Sequence, residues 1–251
     1  MKINWKKKLE FLRSTPLHPQ WLFRSSRKIL PWVRNDTSGL VLDIGAADRW
    51  IEAELPSSCH YVALDYPATG AILYGATPDV FADAARIPLK NKSVDSVIFL
   101  EVLEHLEFPD LALKEIGRVL KDDGVLLMSL PFLYPIHDSP YDFQRYTKFG
   151  LKRELEAAGL EIEEMHNALG STESAGLLFS LAIAGSVLES LENRKASLIL
   201  APIFLTLIPL INISAWLIGK LLPSWSNVSS GYQIKAVKQD SRANQVKASV
   251  S

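Results

Sequence analysis

Residues 40–48 read L-V-L-D-I-G-A-A-D, and this stretch decides the fold. The apolar run over 39–44 lacks alternation and predicts a strand buried on both faces, as in a parallel sheet. Small residues at the carboxyl end of such a strand let the backbone approach a ligand closely. Asp43, Gly45 and Ala47 are therefore candidates for a turn beneath a nucleotide-like cofactor.

Strands and helices alternate along the rest of the sequence. Further strands are predicted at 60–65, 93–100, 124–130, 160–165 and 231–238, with helices at 110–120 and 148–158. The sequence K-D-D-G after the first of these helices is expected to end it and turn into the next strand. This order predicts a doubly wound α/β domain, in which helices cover both faces of a parallel sheet.

Two acids stand where a nucleotide-like cofactor would need them. Asp65 closes the second predicted strand 20 residues after Gly45, a position from which a carboxylate can accept hydrogen bonds from both ribose hydroxyls. Asp83 and Ala84 follow a short apolar pair and precede the strand at 93–100. A carboxylate there could hold an exocyclic amine such as that of adenine.

Blocks of sequence in a fixed order carry a resemblance to a known family. They read V-L-D-I-G-A-A-D at 41–48, V-A-L-D-Y at 62–66, A-D-A-A-R-I-P-L-K-N-K-S-V-D-S-V-I-F-L-E-V-L-E-H-L at 82–106 and L-K-E-I-G-R-V-L-K-D-D-G-V-L-L-M-S-L-P at 113–131. Residues 38–131 thereby resemble the class I S-adenosylmethionine-dependent methyltransferases of the type 11-like group. The resemblance implies a Rossmann-like sheet that is mostly parallel with an antiparallel last strand, and S-adenosylmethionine as cofactor.

The resemblance also implies which residues bind the cofactor. They are Asp43, Gly45, Ala47, Asp65, Asp83, Ala84 and Glu101, of which the first two lie beneath the methionine part. Asp65 would hold the ribose, and Asp83 with Ala84 would meet the adenine. Glu101 would line the cleft near the cofactor, with His105 a turn further on.

The sequence departs from the family after Gly45, where further glycines are usual and Ala46-Ala47-Asp48-Arg49 stand instead. We expect a slightly reshaped cofactor turn, tolerable if the φ of Ala47 is negative. Two alternatives stay open. One is a binding or scaffold protein that retains a degenerate cofactor fold. The other is a nicotinamide-dependent oxidoreductase, although G-x-G-x-x-G is absent and E-V-L-E-H-L has no place in that fold.

The loop at 131–147 is dense in polar and aromatic groups and follows a predicted strand, so it should lie at the carboxyl edge of the sheet. The side chains that could face a substrate there are His137, Asp138, Asp142, Arg145 and Tyr146. His137 is predicted as the general base because imidazole titrates near working pH. Asp138 and Arg145 are predicted to hold the acceptor. A comparable loop occurs in family members associated with bacterial cell-surface polysaccharide loci, and a rigid loop of mutually paired charges is the alternative.

The ends of the chain differ from its centre. Residues 1–34 carry nine bases and one acid, which suits an anionic surface. Residues 175–222 form an apolar block interrupted by L-E-N-R-K-A, inserted before the last predicted strand. Since 175–188 is short and 197–222 contains two prolines, a helical hairpin lying in a membrane interface is favoured over two spans. A buried cap or a homodimer contact is the alternative.

These observations predict the organisation of the whole chain. The segments are a basic amphipathic segment at 1–37, a methyltransferase core at 38–170, an apolar helical insertion at 171–229, a last core strand at 230–238 and a polar tail at 239–251. The predicted partners are a small-molecule or lipid-linked acceptor and a membrane surface, with no nucleic acid. The predicted location is the cytoplasmic face of the membrane. One cysteine, Cys59, excludes an internal disulfide and a multi-cysteine metal site, and no metal site is predicted.

Overall fold

The computed structural model of the chain describes residues 10–23, 29–70 and 75–238. Most bases of the predicted basic segment, and the polar tail at 239–251, lie outside the described residues. Within them the chain divides into two compact units. The sheet unit comprises the described parts of 29–132, 136–166 and 232–238, and the hairpin unit comprises 10–23, 133–135 and 167–231.

The sheet unit is built on a seven-stranded sheet. Its strands are β1 (Leu40–Ile44), β2 (His60–Asp65), β3 (Val80–Phe81), β4 (Val94–Leu100), β5 (Leu120–Pro131), β6 (Leu160–Asn167) and β7 (Gly231–Lys238). The order across the sheet is β3-β2-β1-β4-β5-β7-β6. Pairing is parallel from β3 through β5, and the other end of the sheet is antiparallel. The predicted Rossmann-like fold class is confirmed.

Three helices of the sheet unit are α1 (Ile29–Asp36), α2 (Pro109–Val119) and α3 (Lys148–Ala157). Helix α2 begins with proline, whose missing N–H would be unsatisfied at this position anyway. At the start of α3, the Thr147 hydroxyl accepts a hydrogen bond from the Gly150 N–H at 3.1 Å, which satisfies one of the free donors of the first turn.

Both faces of the central strands β1 and β4 are buried, and this explains why these strands lack alternation. In β1, Leu42 packs in one apolar cluster, whereas its neighbour Val41 packs in another. The second cluster includes Trp32 and Val33 of α1, and the first includes Leu113 of α2. Because successive side chains of a strand point to opposite faces, each strand needs apolar residues at nearly every position.

The structure differs from the prediction at two places in the sheet unit. The two-residue strand β3 was not predicted, since so short a pair carries no period. The K-D-D-G sequence does not turn from helix to strand but lies within β5. Val94 pairs with Leu120 and Ser96 with Val125, so β5 advances five residues while β4 advances two. The extra residues are accommodated as an irregularity, with Asp123 at φ +62°.

The hairpin unit contains two long apolar helices, α4 (Ser171–Glu192) and α5 (Ala201–Leu221). Helix α4 has 22 residues and begins at residue 171, so it extends beyond the apolar run at 175–188, and Pro209 lies inside α5. Both helices are long and apolar enough to cross a membrane, by length and composition alone. The lengths of these two helices therefore do not exclude that they span a membrane.

The two helices of the hairpin unit approach each other closely at small residues. A Cβ on Gly176 of α4 would lie 2.5 Å from Cβ of Ala215 in α5, so only glycine permits this packing. Further along, the Ser180 hydroxyl donates to Oδ1 of Asn212 at 2.8 Å. Nδ2 of Asn212 in turn donates to the Pro19 carbonyl at 3.0 Å, so these buried polar groups are satisfied.

Candidate functional site

The strand order places a crevice at the carboxyl ends of β1 and β4. Strand β1 pairs with β2 on one side and with β4 on the other, both parallel. After β1 the chain adds β2 and β3 toward one edge of the sheet, and from β4 onward it adds strands toward the other edge. The strand order therefore reverses between β1 and β4. Ligands of open α/β sheets bind at such a switch point. Gly45 follows β1 and Glu101 follows β4, so both lie at this crevice.

Gly45 has a conformation and surroundings that only glycine accepts. Its φ is +77°, and a Cβ built on it would lie 2.4 Å from Cγ2 of Val102. Its N–H donates to the Leu64 carbonyl of β2 at 2.8 Å, which fixes the turn against the neighbouring strand. The backbone here stays uncovered by a side chain of its own, as a turn beneath a cofactor requires.

Ala47 adopts a left-handed conformation, with φ +44°, so the negative φ under which an alanine would be tolerated without strain is not met. For an alanine this conformation costs about 1–2 kcal/mol. The local reason is Asp65, whose Oδ2 accepts a hydrogen bond from the Ala47 N–H at 2.9 Å. Arg49, with φ +59°, is left-handed as well. The turn without further glycines is thus held in shape by a buried carboxylate of the next strand.

Asp65 joins the turn after β1 to the end of β2 and keeps capacity for a ligand. The residue is buried, and its Oδ1 accepts the Tyr66 N–H at 2.7 Å. Each carboxylate oxygen has about two acceptor positions, so the two backbone bonds leave one on each oxygen. A Cβ on Gly70 would lie 2.6 Å from the Asp65 carboxyl carbon, so a side chain there would displace this acid.

Asp43 is more enclosed than a cofactor-facing acid needs to be. Its Oδ2 accepts a hydrogen bond from the Tyr61 hydroxyl at 2.6 Å. Burial raises the pKa of Asp43 to about 7, and the nearby Asp65 adds to the rise, while the Tyr61 hydrogen bond opposes it. Asp43 therefore supports the turn from within the sheet.

Asp83 and Ala84 lie close to the end of β2 through the backbone. The Ala82 N–H donates to the Asp65 carbonyl at 3.0 Å. The Asp83 side chain is exposed, and its Oδ1 accepts the Ala85 N–H at 2.8 Å, while Ala84 is buried. The structure thus brings the predicted adenine-binding pair beside the predicted ribose-binding acid.

Glu101 lies at the end of β4 in a strained conformation, with φ +54°. Its N–H donates to the Ser129 carbonyl at 2.9 Å, and the Ser129 hydroxyl donates to Oε1 at 2.6 Å. The residue is open to solvent, yet desolvation by the surrounding protein raises its pKa. Left-handed non-glycine residues persist where the surroundings enforce them, often at functional sites.

The loop after β5 is organised around Asp142, whose side chain is almost fully buried. The Arg145 guanidinium donates to both of its oxygens, at 2.7 Å to Oδ2, and the His137 N–H donates to Oδ2 at 2.9 Å. These partners, Arg145 first, hold the pKa of Asp142 well below its usual value. The carboxylate therefore stays ionised and fixes the positions of two predicted catalytic residues, His137 and Arg145, relative to each other.

His137 has the protonation state that a base requires. Its side chain is 26% exposed, and Nδ1 lies 3.2 Å from Oδ2 of Asp142. Burial lowers the pKa of His137, with a contribution from the nearby His105, so the imidazole is neutral at neutral pH. Asp138 is exposed at φ +49°, and its charge partly opposes this lowering.

Glu104 is the functional candidate that the sequence analysis missed. Its side chain is 1% exposed, and neither carboxylate oxygen has a hydrogen-bond partner. Burial, followed by the charge of Glu101, raises the pKa of Glu104 to about 9. Its Oε1 lies 3.6 Å from Nε2 of His105 and 3.8 Å from Nε2 of His137. The signal in the sequence was an acid among apolar residues in E-V-L-E-H-L, but its burial could not be known.

Fold and site together define an α/β domain with a glycine turn at its switch point, and known proteins resemble it in sequence and fold. A family model described as a methyltransferase domain matches residues 42–128. A protein of Mycolicibacterium smegmatis, described as a probable S-adenosylmethionine-dependent methyltransferase, is 33% identical over 147 residues, covering 54% of this chain and 56% of that protein. The chain thus spans about half the length of this curated relative.

Solved structures agree at the level of the fold. A SAM-dependent methyltransferase from Archaeoglobus fulgidus has a TM-score of 0.54 and 17% identity, covering 94% of this chain and 100% of its own. A Burkholderia thailandensis N1-methyltransferase with bound S-adenosylhomocysteine has a TM-score of 0.50 and 14% identity, covering 87% of this chain and 80% of its own. Residues 42–128 therefore match a methyltransferase domain, and the fold is that of S-adenosylmethionine-dependent methyltransferases.

Proposed function

We propose that this chain is an enzyme that transfers a methyl group from S-adenosylmethionine to a lipid-linked or cell-surface glycan-related acceptor. The observation that carries methyl transfer is the turn at the switch point, where Gly45 has no room for a side chain and Asp65 keeps acceptor capacity toward the crevice. The family match over residues 42–128 supports the same reaction.

The residues at the crevice fit this cofactor. Asp65 holds the ribose hydroxyls, Asp83 and Ala84 hold the adenine, and the turn from Asp43 through Ala47 lies beneath the methionine part. Glu101 offers a carboxylate to a positively charged ligand. The bound cofactor supplies a methyl carbon on a positively charged sulfur, already activated for displacement. The protein has to align the acceptor with that carbon and exclude water.

The loop after β5 is proposed to handle the acceptor. His137 faces Asp142 with Nδ1 and the Glu104 carboxylate with Nε2. In the tautomer with its hydrogen on Nδ1, beside the Asp142 carboxylate, Nε2 carries a lone pair and can take a proton from an acceptor group. Arg145 and Asp138 hold the acceptor in place. This assignment supports acid–base chemistry at the mouth of the cleft.

The apolar helices support a lipid-linked acceptor. The long apolar side chains of α5 that stay exposed include Ile203, Leu210, Leu217 and Leu221. They recur at intervals of seven and four residues and so form one stripe along the helix. An exposed apolar surface of this length suits a lipid bilayer. A peripheral position on the cytoplasmic face of the membrane would bring the enzyme to acceptors carried on lipids.

Calorimetry of the purified full chain tests the cofactor assignment. Asp65→Ala should weaken binding of S-adenosylhomocysteine by about 10- to 100-fold, because a charged acceptor of two hydroxyls is lost. Asp110→Ala, which removes an exposed acid on α2, should leave the affinity unchanged. Binding of NAD in place of S-adenosylhomocysteine would establish the oxidoreductase alternative, and binding of neither would favour the scaffold alternative.

The acceptor is tested by comparing cells with and without the gene. Mass spectrometry of lipid and glycan extracts should show species that are heavier by one methyl group only when the gene is present. Tritium from labelled S-adenosylmethionine should enter the lipid fraction of the deletion strain when purified enzyme is added. Label that enters only water-soluble small molecules would contradict a lipid-linked acceptor while leaving methyl transfer intact.

A further inference from the structure

The cluster of Glu104, His105 and His137 has the composition of a metal site. One oxygen of Glu104 and one ring nitrogen of each histidine all lie within 4.8 Å of one another. Glutamate and imidazole are ligands that zinc and related divalent transition metals accept. Among the described residues, it is the one group of three or more histidines, cysteines or acids whose ligand atoms lie close enough together to hold an ion.

The buried carboxylate of Glu104 needs a partner of positive character. Neither of its oxygens has a hydrogen-bond partner, and the side chain is 1% exposed. A buried carboxylate without partners is strongly unfavourable, so such groups are paired, protonated or bound to metal. The Nε2 atoms of His105 and His137 lie 3.6 Å and 3.8 Å from its Oε1.

The other nitrogen of each histidine lies close to an oxygen of the protein. Nδ1 of His105 lies 2.8 Å from the Tyr141 carbonyl, which can only accept, so this nitrogen carries the hydrogen. Nδ1 of His137 lies 3.2 Å from Oδ2 of Asp142, a carboxylate held by Arg145. Nε2 of His105 therefore carries a lone pair, and Nε2 of His137 carries one in the tautomer that places its hydrogen on Nδ1, beside Asp142. Carbonyls and carboxylates behind ligating histidines are the usual outer partners of a metal site.

We propose that Glu104, His105 and His137 bind a divalent transition-metal ion such as Zn²⁺ through the Glu104 carboxylate and both Nε2 atoms. Bonds of about 2.0–2.2 Å in tetrahedral geometry place ligand atoms roughly 3.3–3.5 Å apart. The two distances to Glu104 exceed this by only a few tenths of an ångström.

Three protein ligands leave one coordination position of the ion open. An acceptor with a hydroxyl group suits this position. The ion binds a hydroxyl oxygen of the acceptor there and lowers the pKa of that hydroxyl. The proton leaves to water, the oxygen forms a bond to the methyl carbon, and the carbon–sulfur bond breaks with its electron pair remaining on sulfur. His137 then holds the ion instead of taking the proton. This role rests on the proposed methyl transfer to an alcohol or sugar hydroxyl, whereas ion binding does not.

Metal binding is measured on untagged full-length protein that has been stripped with EDTA and dialysed. Titration with Zn²⁺ should show one equivalent bound with a Kd in the micromolar range or tighter. Glu104→Gln keeps the shape of the buried side chain without its charge and should weaken binding at least about 10-fold. His137→Asn should do the same. Co²⁺ should give visible absorption bands of a four- or five-coordinate ion in wild type that Glu104→Gln lacks.

Matched controls and a second ligand make the result decisive. His60→Ala and Glu107→Gln change exposed residues outside the cluster and should bind Zn²⁺ as the wild type does. Circular dichroism and S-adenosylhomocysteine titration of every variant establish that it is folded. If Zn²⁺, Co²⁺ and Mn²⁺ all fail to bind wild type, or if Glu104→Gln binds equally well, the metal site is overturned. Retained S-adenosylhomocysteine binding in that case leaves the proposed function standing.

Discussion

The sheet unit and the hairpin unit both rest on long apolar stretches, but they treat those residues in opposite ways. In β5, Leu126 and Leu127 are fully buried, on opposite faces of the sheet. In α5, Leu210 is 60% exposed and Leu221 is 81% exposed. A strand inside a covered sheet buries both of its faces, whereas two paired helices cover only the stripe between them.

An apolar stretch of sequence therefore does not show which surface covers its side chains. Fully burying a large apolar side chain contributes about 1.5–3 kcal/mol. The sheet unit gains this within the folded chain. The exposed stripe of α5 can gain it only from another body, and we propose that this body is the membrane.

We expect the largest effect, on membrane binding, from introducing charges into the exposed stripe of α5. Leu210→Glu combined with Leu217→Glu should lower partitioning onto anionic vesicles at least about 100-fold, since two apolar side chains worth about 1.5 kcal/mol each are lost and charges are introduced. Sedimentation of the purified chain with vesicles measures the partitioning. High salt alone should not release the wild type, because screening leaves the apolar contribution intact.

Exposed apolar residues of the sheet unit provide the matched control. Leu111→Glu combined with Phe149→Glu changes two such residues and should leave vesicle binding unchanged. If the wild type stays in the supernatant without vesicles or detergent and does not bind vesicles, the membrane proposal fails. A homodimer detected by ultracentrifugation would then account for the stripe.

The same small substitution should have opposite signs in the two units. Gly45→Ala forces a Cβ to within 2.4 Å of Val102 at positive φ, and should destabilise the sheet unit by about 2–4 kcal/mol. Gly185→Ala lies in α4, where an added Cβ meets nothing within 4 Å, and should stabilise its helix by about 1 kcal/mol. Chemical denaturation followed by circular dichroism measures both. Equal effects would show that the turn after β1 is not tightly packed.

Catalysis should depend on a polar residue of the sheet unit and leave cofactor binding alone. His137→Ala should lower methyl transfer about 100-fold or more, because the loss removes either a base or a metal ligand. Tritium transfer into lipid extract measures turnover, and calorimetry should show an unchanged affinity for S-adenosylhomocysteine. His60→Ala serves as the control. Wild-type turnover in His137→Ala would remove this residue from the mechanism, and Asp138 and Arg145 would be tested next.

A smaller effect is expected in how the stability of the sheet unit depends on pH. The pKa of Asp43 is about 7 in the folded chain against an ordinary 3.8, so the folded state holds an extra proton between these values. Its contribution to stability is full below pH 4 and is lost as pH rises through 7, at up to about 1.4 kcal/mol per pH unit. Asp43→Asn should remove this part of the slope. Unfolding free energies from pH 4 to 8 test it, and an unchanged slope would show that Asp43 is ionised throughout.

The sequence by itself determined the order of the elements and the residues of the cofactor turn. Strands β2 and β7 match the predicted bounds of 60–65 and 231–238 because their residues read as strand locally. The turn after β1 was predictable for the same reason, since strand, glycine and downstream acid are all visible in the sequence. Predictions of this kind need only the local period and the chemistry of single residues.

Tertiary structure alone decided the geometry of the site. Glu104 follows β4 and His137 follows β5, and they meet because these two strands are neighbours in the sheet. The left-handed turn at Ala47 depends on Asp65 in the next strand, and the raised pKa of Glu104 depends on burial. The apolar run at 175–188 likewise did not give the full extent of α4, because the first turn of this helix is polar. Contacts between residues distant in sequence are set by strand order and packing, which no local pattern contains.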